Sequence, residues 1–281
     1  MHFSTAYHLL KATSQSWWND RAMSMGAAIS FYTVFSLAPM LLLVISVAGL
    51  VFGREASQGA VIEQMKGLIG EKGGEAVSTM LASASAVGSG VVATVVGAVS
   101  LVIFSTGAFV ELQDDLNIIW KAKRPTYSSL LIFLRSRFAS LSLIVAIGFL
   151  LLVSLIIDAG VTAASRYLAR FGLSVVIEIT HFVVALGAST TLFALIFKVL
   201  PSTRVAWKDV WIGAVATGVM FLIGKSLIGI YLGQSNLAST FGAAGSVITI
   251  LLWVYYSSQI LLFGAEFTKV YAELRGSRST L

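Results

Sequence analysis

Several ionisable residues stand inside long apolar runs of this sequence, where a charge is difficult to solvate. Lys225 lies within the run Phe221–Ile228. Glu178 and His181 share a helical face in a second run, and Asp158 ends a third. A charge in a bilayer costs about 2.5–3.5 kcal/mol on insertion scales, so it usually faces a partner or a water-filled cavity. We therefore predict a polar cavity in the outer half of the membrane, with Lys225 as its cation and Glu178 or Asp158 as the counter-ion.

A cation in such a cavity would suit an anionic lipid headgroup or the carboxylate of a small solute. The alternative is that Lys225 reaches the outer membrane surface through its long side chain, without any cavity.

A second polar group is predicted where apolar runs end on the cytoplasmic side. It comprises Glu111, Asp114, Asp115, Asn117 and Glu266. Paired carboxylates can bind cations or accept protons, but they can equally cap helices or bind neighbouring Lys and Arg residues. Because charges at loop ends are solvated, we favour the structural role.

The residue types argue against a metal or nucleotide site. The chain has no cysteine and three histidines, of which His2 and His8 are near the N-terminus and His181 is expected across the membrane. A metal-dependent nuclease needs clustered histidine and acidic ligands, and no GxxxxGK[ST] phosphate-binding motif is present. We therefore predict no metal, no cofactor and no enzymatic activity. Any uphill transport would need an ion gradient, a proton gradient or a partner.

The elements that hold these residues are predicted to be membrane-spanning helices. Of the 281 residues, 57% are hydrophobic and 11% charged, whereas a soluble domain carries roughly 25% charged residues. A spanning helix needs roughly 20 mostly apolar residues, and strands of membrane barrels alternate instead. Six runs satisfy this length and predict one all-α domain over 1–281, with spans at 30–52, 90–110, 138–157, 173–200, 210–232 and 244–265.

The distribution of basic residues predicts the orientation. With both termini in the cytoplasm, the cytoplasmic segments hold 13 Lys and Arg residues and the outer segments hold five. Cytoplasmic loops of membrane proteins carry this excess, which accounts for the net charge of +6 without nucleic-acid binding.

Two flanking elements complete the predicted architecture. Residues 1–24 place Phe3, Tyr7, Leu10, Ser14 and Trp17 at helical spacing, which predicts a helix at the membrane interface or, equally, one packed on the cytoplasmic face. Between the first two spans, apolar stripes on either side of a turn at 70–74 predict an outer helical hairpin.

Pro39 lies inside the first span and removes one backbone hydrogen bond, which predicts a kink. The hydroxyl groups of Ser30, Tyr32 and Ser36 could satisfy the freed carbonyl or line a path. A GxxxG pattern at Gly229–Gly233 predicts close helix packing, and a homo-oligomer is possible.

Three blocks of sequence resemble the YihY/BrkB family of bacterial inner-membrane proteins, once labelled ribonuclease BN-like. The blocks are Ala27–Tyr32 with Ser36–Pro39, Asp114–Trp120, and Phe241–Ser246 with Trp253–Tyr256 and Gly264–Glu266. The resemblance covers nearly the whole chain, with Phe241 where the family is expected to have tyrosine. It implies a six-helix protein linked to virulence, serum resistance and the transport of envelope lipids or solutes.

Three functions are therefore weighed. The first is a transporter or lipid translocator, with membrane lipids and an anionic lipid or small solute as its ligands. The second is a scaffolding protein of envelope assembly, and the third is the ribonuclease of the old family label, which the scarcity of histidine disfavours.

Overall fold

The computed structural model describes residues 2–86, 107–122, 174–234 and 244–278, and these residues contain helices and no strand. The predicted all-α fold is confirmed. The helices are α1 (His2–Asn19), α2 (Ala22–Phe52), α3 (Arg54–Ile69), α4 (Glu71–Ala86), α5 (107–119), α6 (Ser174–Val199), α7 (Trp207–Gln234) and α8 (Ala244–Leu274).

Four of these helices, α2, α6, α7 and α8, are long and apolar enough to cross a membrane. They correspond to the predicted spans 30–52, 173–200, 210–232 and 244–265. The predicted span 138–157 and nearly all of 90–110 lie outside the described residues. Large apolar side chains on these helices are exposed, including Phe182, Ile223, Leu227 and Ile230, as expected for a surface in contact with lipid.

Helix α8 is longer than its predicted span. It continues past Ala265 to Leu274. Its 31 residues extend over roughly 46 Å, more than the roughly 30 Å of a hydrocarbon core. Glu266 and Lys269 therefore belong to the helix itself and not to a solvated loop.

Helix α1 is amphipathic, as predicted. Thr13 is buried and donates its hydroxyl hydrogen to the carbonyl of Leu9 at 2.8 Å, whereas Tyr7, Leu10 and Trp18 are exposed. Its position at a membrane interface stays a prediction.

The predicted helical hairpin is formed by α3 and α4. Its turn is shorter than predicted, because Gly70 alone separates the helices at φ 81° and α4 begins at Glu71. Gly73 and Gly74 are helical, and a β-carbon at Gly73 would overlap the side chain of Ile69. These glycines therefore serve close packing.

The hairpin packs its apolar stripes against α2 and α8. The shared core comprises Val34, Leu41, Ile45, Ile69, Ala76, Val77, Leu81, Ile250 and Val254. On the hairpin surface, Lys66 Nζ is 3.1 Å from Glu63 Oε1 and 3.4 Å from Glu71 Oε2. We name these three residues the exposed triad, because the two carboxylate side chains are 72% and 77% accessible.

Pro39 leaves α2 unbroken, since the helix runs from Ala22 to Phe52. A proline at this position cannot donate a backbone hydrogen bond to the carbonyl four residues earlier. Ser36 donates instead to Thr33 at 3.0 Å, and Ser30 donates to carbonyls one turn before it. The prediction that these two hydroxyls satisfy the freed carbonyl is wrong, and the kink itself stays a prediction.

The chain divides into two compact units. The first comprises Met1–Arg21, Gln113–Leu222 and Ile260–Leu281. The second comprises Ala22–Leu112 and Ile223–Gln259, and it contains the hairpin.

Candidate functional site

Three charged residues of the first unit meet in a largely buried cluster. Lys269 Nζ is 3.4 Å from Glu266 Oε2 and 3.6 Å from Asp20 Oδ2. Glu266 has no accessible surface, Lys269 is 4% exposed and the Asp20 side chain is 23% accessible. We name Asp20, Glu266 and Lys269 the buried triad.

The positions of the triad residues follow from local structure. Glu266 and Lys269 are three residues apart on α8, which places both on the same helix face. Asp20 lies in the short turn between α1 and α2, where Arg21 adopts a left-handed conformation with φ 59°. The amide of Asp20 still donates to the carbonyl of Ser16 at 2.9 Å, so the end of α1 holds the carboxylate in place.

The surroundings of Glu266 are apolar, since Leu262, Ala265 and Val270 on the same helix are all buried. Glu266 Oε1 receives no hydrogen bond from any described residue, and the same is true of Asp20 Oδ2. Each buried charge that lacks partners carries a desolvation penalty of several kcal/mol. The triad is therefore an energetically expensive arrangement in the protein interior.

Within the first unit, helices α7 and α8 cross closely at two pairs of glycine and threonine. Gly213 faces Thr268 and Gly264 faces Thr217, so closely that a β-carbon at either glycine would overlap the opposite threonine. Both threonines are fully buried. We name these four residues the Gly–Thr crossing, and Glu266 lies between two of them in the sequence.

The crossing is reciprocal in its hydrogen bonds as well. Thr217 donates to the carbonyl of Gly213 at 2.7 Å, and Thr268 donates to that of Gly264 at 2.6 Å. Each helix thus satisfies its own hydroxyl, and the threonine Oγ1 is the atom nearest to the position of a β-carbon at the partner glycine. Small residues at matching positions are the usual device for bringing membrane helices together.

Below the crossing, the chain segments at the helix ends are tied together by polar side chains. Asp209 is buried in the first turn of α7, where a carboxylate is favoured by the helix dipole. It accepts hydrogen bonds from the amide of Ser277, at 3.2 Å, and from the Ser277 hydroxyl. A β-carbon at Gly276 would overlap the Asp209 carboxylate, so glycine is required for this approach.

The loop between α6 and α7 is bound from two further elements. Asn117 Oδ1 accepts a hydrogen bond from the amide of Ser202 at 2.7 Å. Arg278 donates to Thr203 Oγ1 at 3.1 Å, and its guanidinium carbon is 5.0 Å from the centre of the Trp120 ring. Asn117 and Arg278 therefore hold the loop between α6 and α7 in place.

The five residues predicted as a cytoplasmic cluster have different environments. Glu266 belongs to the buried triad, and Asn117 binds the loop after α6. Asp115 is buried at 3% exposure, Asp114 is exposed, and Glu111 is partly buried in the second unit.

The residues predicted to line an outer cavity lie in different units of the chain or outside the described residues. Lys225 is partly buried on α7 in the second unit, whereas His181 is partly buried on α6 in the first. Glu178 lies on α6 with its side chain outside the described set, and Asp158 lies outside the described residues. The cavity stays a prediction.

Asp20 and Lys269 were missed by sequence reasoning. For Lys269 a sequence signal was available, because Glu266 and Lys269 are three residues apart in a segment that can be helical. The predicted span ended at Ala265 where the charges began, and the pair was consequently assigned to the solvated tail.

No group of three or more His, Asp and Glu side chains able to hold a metal ion occurs within the described parts of the chain. The triad itself offers two carboxylates with an ammonium group between them.

Comparison with known proteins gives consistent relatives. A family model described as virulence factor BrkB matches residues 13–280. A UPF0761 membrane protein from Rhodospirillum centenum is 26% identical over 94% of this chain and 57% of its own length. One from Pseudomonas aeruginosa is 26% identical over 94% of this chain and 62% of its own, and one from Yersinia pestis is 28% identical over 66% and 61%.

The chain thus spans 57–62% of the length of these relatives. No solved structure matches it.

Proposed function

The chain belongs to the virulence factor BrkB family of membrane proteins, and from this premise we propose that it moves an anionic lipid or a small solute across the membrane. The observation that carries the proposal is the buried triad. Ionisable side chains inside a membrane helix bundle are expensive, and they usually belong to a path for substrate, ion or proton.

The distances in the buried triad would allow Lys269 to change its carboxylate partner. Lys269 is 3.4 Å from Glu266 and 3.6 Å from Asp20, so neither carboxylate holds the ammonium at close range. Charge-assisted hydrogen bonds between nitrogen and oxygen are usually about 2.7–2.9 Å long. A cation held loosely by two acids can shift between them at little energetic expense, which is what an alternating transport cycle needs.

The proposed setting is the bacterial inner membrane, with both termini in the cytoplasm. This follows from the excess of Lys and Arg in the terminal segments and in the loops predicted on the same side of the membrane. In this orientation the triad lies toward the cytoplasmic side, because Asp20 follows the N-terminal helix and Glu266 precedes the C-terminal tail. The sequence has no phosphate-binding GxxxxGK[ST] motif, so the proposed transport depends on an ion gradient or on a partner.

The test is reconstitution of the purified protein into liposomes. Translocation would be followed with fluorescent phosphatidylglycerol and chemical quenching of the outer leaflet, and solute uptake with a panel of small anions and osmolytes. We expect activity in the wild type and a loss of at least tenfold in Glu266→Gln. Glu273→Gln is the matched control, because Glu273 is exposed two turns further along the same helix.

Activity in Glu266→Gln equal to that of the wild type would remove the triad from the transport path. No activity in any preparation, together with stable co-purification of another envelope protein, would favour the scaffolding function over transport.

A further inference from the structure

The charges of the buried triad do not balance. Two carboxylates and one ammonium leave a net charge of −1 when both acids are ionised. An uncompensated charge in a low-dielectric interior is far more costly than the same charge at the surface. The triad therefore needs one additional positive charge.

Two carboxylate oxygens of the buried triad could accept the additional positive charge. Glu266 Oε2 faces Lys269, but Glu266 Oε1 has no donor among the described residues and no accessible surface. Asp20 Oδ2 also lacks a hydrogen bond within the described chain, since its distance to Lys269 Nζ is 3.6 Å. A carboxylate oxygen buried without a donor is rare in folded proteins, because the group forfeits its hydration without replacement.

Among the described residues of the first unit, other side chains do not supply the charge. Lys269 and Asp20 are the charged groups that interact with Glu266. The other buried acids among the described residues of this unit are Asp115 and Asp209, and Asp209 is already engaged by the C-terminal turn. Of the other described charged side chains on these elements, Lys11, Arg21, Lys208, Glu273 and Arg275 are exposed, and Arg278 is engaged by Thr203 and Trp120.

We propose that the buried triad is a binding site for a single proton, which Glu266 takes up on Oε1 and exchanges with the cytoplasmic side past Asp20. Glu266 then becomes a neutral carboxylic acid, and the triad holds one ammonium and one carboxylate. This inference rests on the proposed function only for its role in transport, where the proton is the coupling ion.

A proton fits this site better than a metal cation does. The ammonium of Lys269 already lies between the two carboxylates and repels a second cation. A sodium or divalent ion also needs several oxygen ligands, whereas a proton needs one. The bound proton adds an O–H donor to Glu266, which had no donor of its own.

Binding of the proton also changes the partner of the lysine. With Glu266 ionised, Lys269 is shared between two acids; with Glu266 neutral, the remaining carboxylate is that of Asp20. Asp20 is in the turn that joins α1 to α2. Protonation is thereby linked to the connection between the N-terminal helix and the first span.

The experiment is infrared difference spectroscopy of the full chain in lipid, stepped between acidic and alkaline buffer. A protonated carboxylic acid in an apolar site gives a carbonyl band distinct from that of ionised carboxylates. We expect this band in the wild type and in the control Glu273→Gln. It should be absent in Glu266→Gln, and Asp20→Asn should keep the band but shift its midpoint pH.

Glu266→Gln retains the size and hydrogen-bonding capacity of the acid, and its helix content would be checked by circular dichroism. A wild-type spectrum without the band, or a band that persists in folded Glu266→Gln, would overturn the proposal. Loss of the band on addition of sodium chloride in place of potassium chloride would assign the site to sodium instead.

The two proposals fail separately. A band assigned to Glu266 without any translocation of phosphatidylglycerol or solutes would leave the proton site standing and remove the transport function. Translocation that proceeds equally at all pH values, with no such band, would keep transport and overturn the proton site.

Discussion

The exposed triad and the buried triad have the same charge composition, but one is exposed to solvent and the other is largely buried. Both the exposed triad and the buried triad place one lysine between two carboxylates. The distances are similar, at 3.1 and 3.4 Å in the exposed triad and 3.4 and 3.6 Å in the buried one. What differs is access to solvent, because the carboxylate side chains are 72% and 77% accessible in one and 23% and 0% in the other.

Solvent water hydrates the exposed triad, so its net charge needs no further partner. The hydrogen bond and charge of Glu63, followed by those of Glu71, raise the pKa of Lys66 above its ordinary value. A group with a raised pKa stabilises the fold below its unfolded pKa, about 10.4 for lysine, and loses that effect only above it. The exposed triad therefore adds no pH dependence near neutrality, and the buried triad must be neutralised from within.

The largest expected effect follows from removing the central lysine. Lys269→Met leaves two buried carboxylates without a cation, and breaking a buried ion pair in this way costs about 3–5 kcal/mol. The loss should be greater in alkaline than in acidic buffer, since protons can neutralise the acids. Titration with SDS in mixed micelles measures it. Lys66→Met in the exposed triad is the matched control and should change the unfolding midpoint little.

The next effect concerns the close packing of α7 against α8. Gly264→Ala places a methyl group against Thr217 in the Gly–Thr crossing, and overpacking of this kind costs about 1–3 kcal/mol. Gly229→Ala is its control, because a β-carbon at Gly229 has no described atom within 4 Å beyond its own neighbours and the nearby backbone of its helix. Equal melting temperatures for the two variants would contradict the close crossing of α7 and α8.

A smaller effect is expected at the helix ends below the crossing. Asp209→Asn removes the charge that accepts the amide and hydroxyl of Ser277, and the loss should be about 1 kcal/mol. Limited proteolysis should then cleave the C-terminal turn more readily. Asp114→Asn is the comparison, since Asp114 is exposed, and accelerated cleavage in that variant as well would contradict a specific tether.

The smallest effect belongs to the exposed triad. Glu63→Gln should leave the melting temperature nearly unchanged at physiological salt, because exposed ion pairs contribute little and are screened. A difference from the wild type should emerge only at low ionic strength. A large loss of stability at high salt would show that solvent does not distinguish the two triads.

Sequence reasoning succeeded where apolar runs are long. The family resemblance and the all-α membrane fold are confirmed. The bounds of α6 and α7 and the end of α2 follow from the length of the runs, because a helix is the way to satisfy the backbone in lipid. Helix α2 begins at Ala22, before the predicted start at residue 30. The hairpin could be predicted from two apolar stripes at helical spacing.

The buried triad could not be predicted from the length and hydropathy of the apolar runs. A hydropathy pattern treats Glu266 and Lys269 as the end of a span, yet pairing with each other and with Asp20 lets α8 continue through them. Asp20 lies 246 positions before Glu266 in the sequence, and no local pattern connects the two. The Gly–Thr crossing likewise requires knowing which faces of α7 and α8 meet.

The most direct test of the central claim is the free energy of unfolding measured against pH. Above about pH 4.3 an unfolded glutamate releases its proton, whereas the folded triad is proposed to retain one. Folding then takes up a proton, so stability falls as pH rises, by up to about 1.4 kcal/mol per pH unit. The wild type and Glu63→Gln should show this fall, and Glu266→Gln should be flat. A flat wild-type curve, or the same slope in Glu266→Gln, would contradict the account.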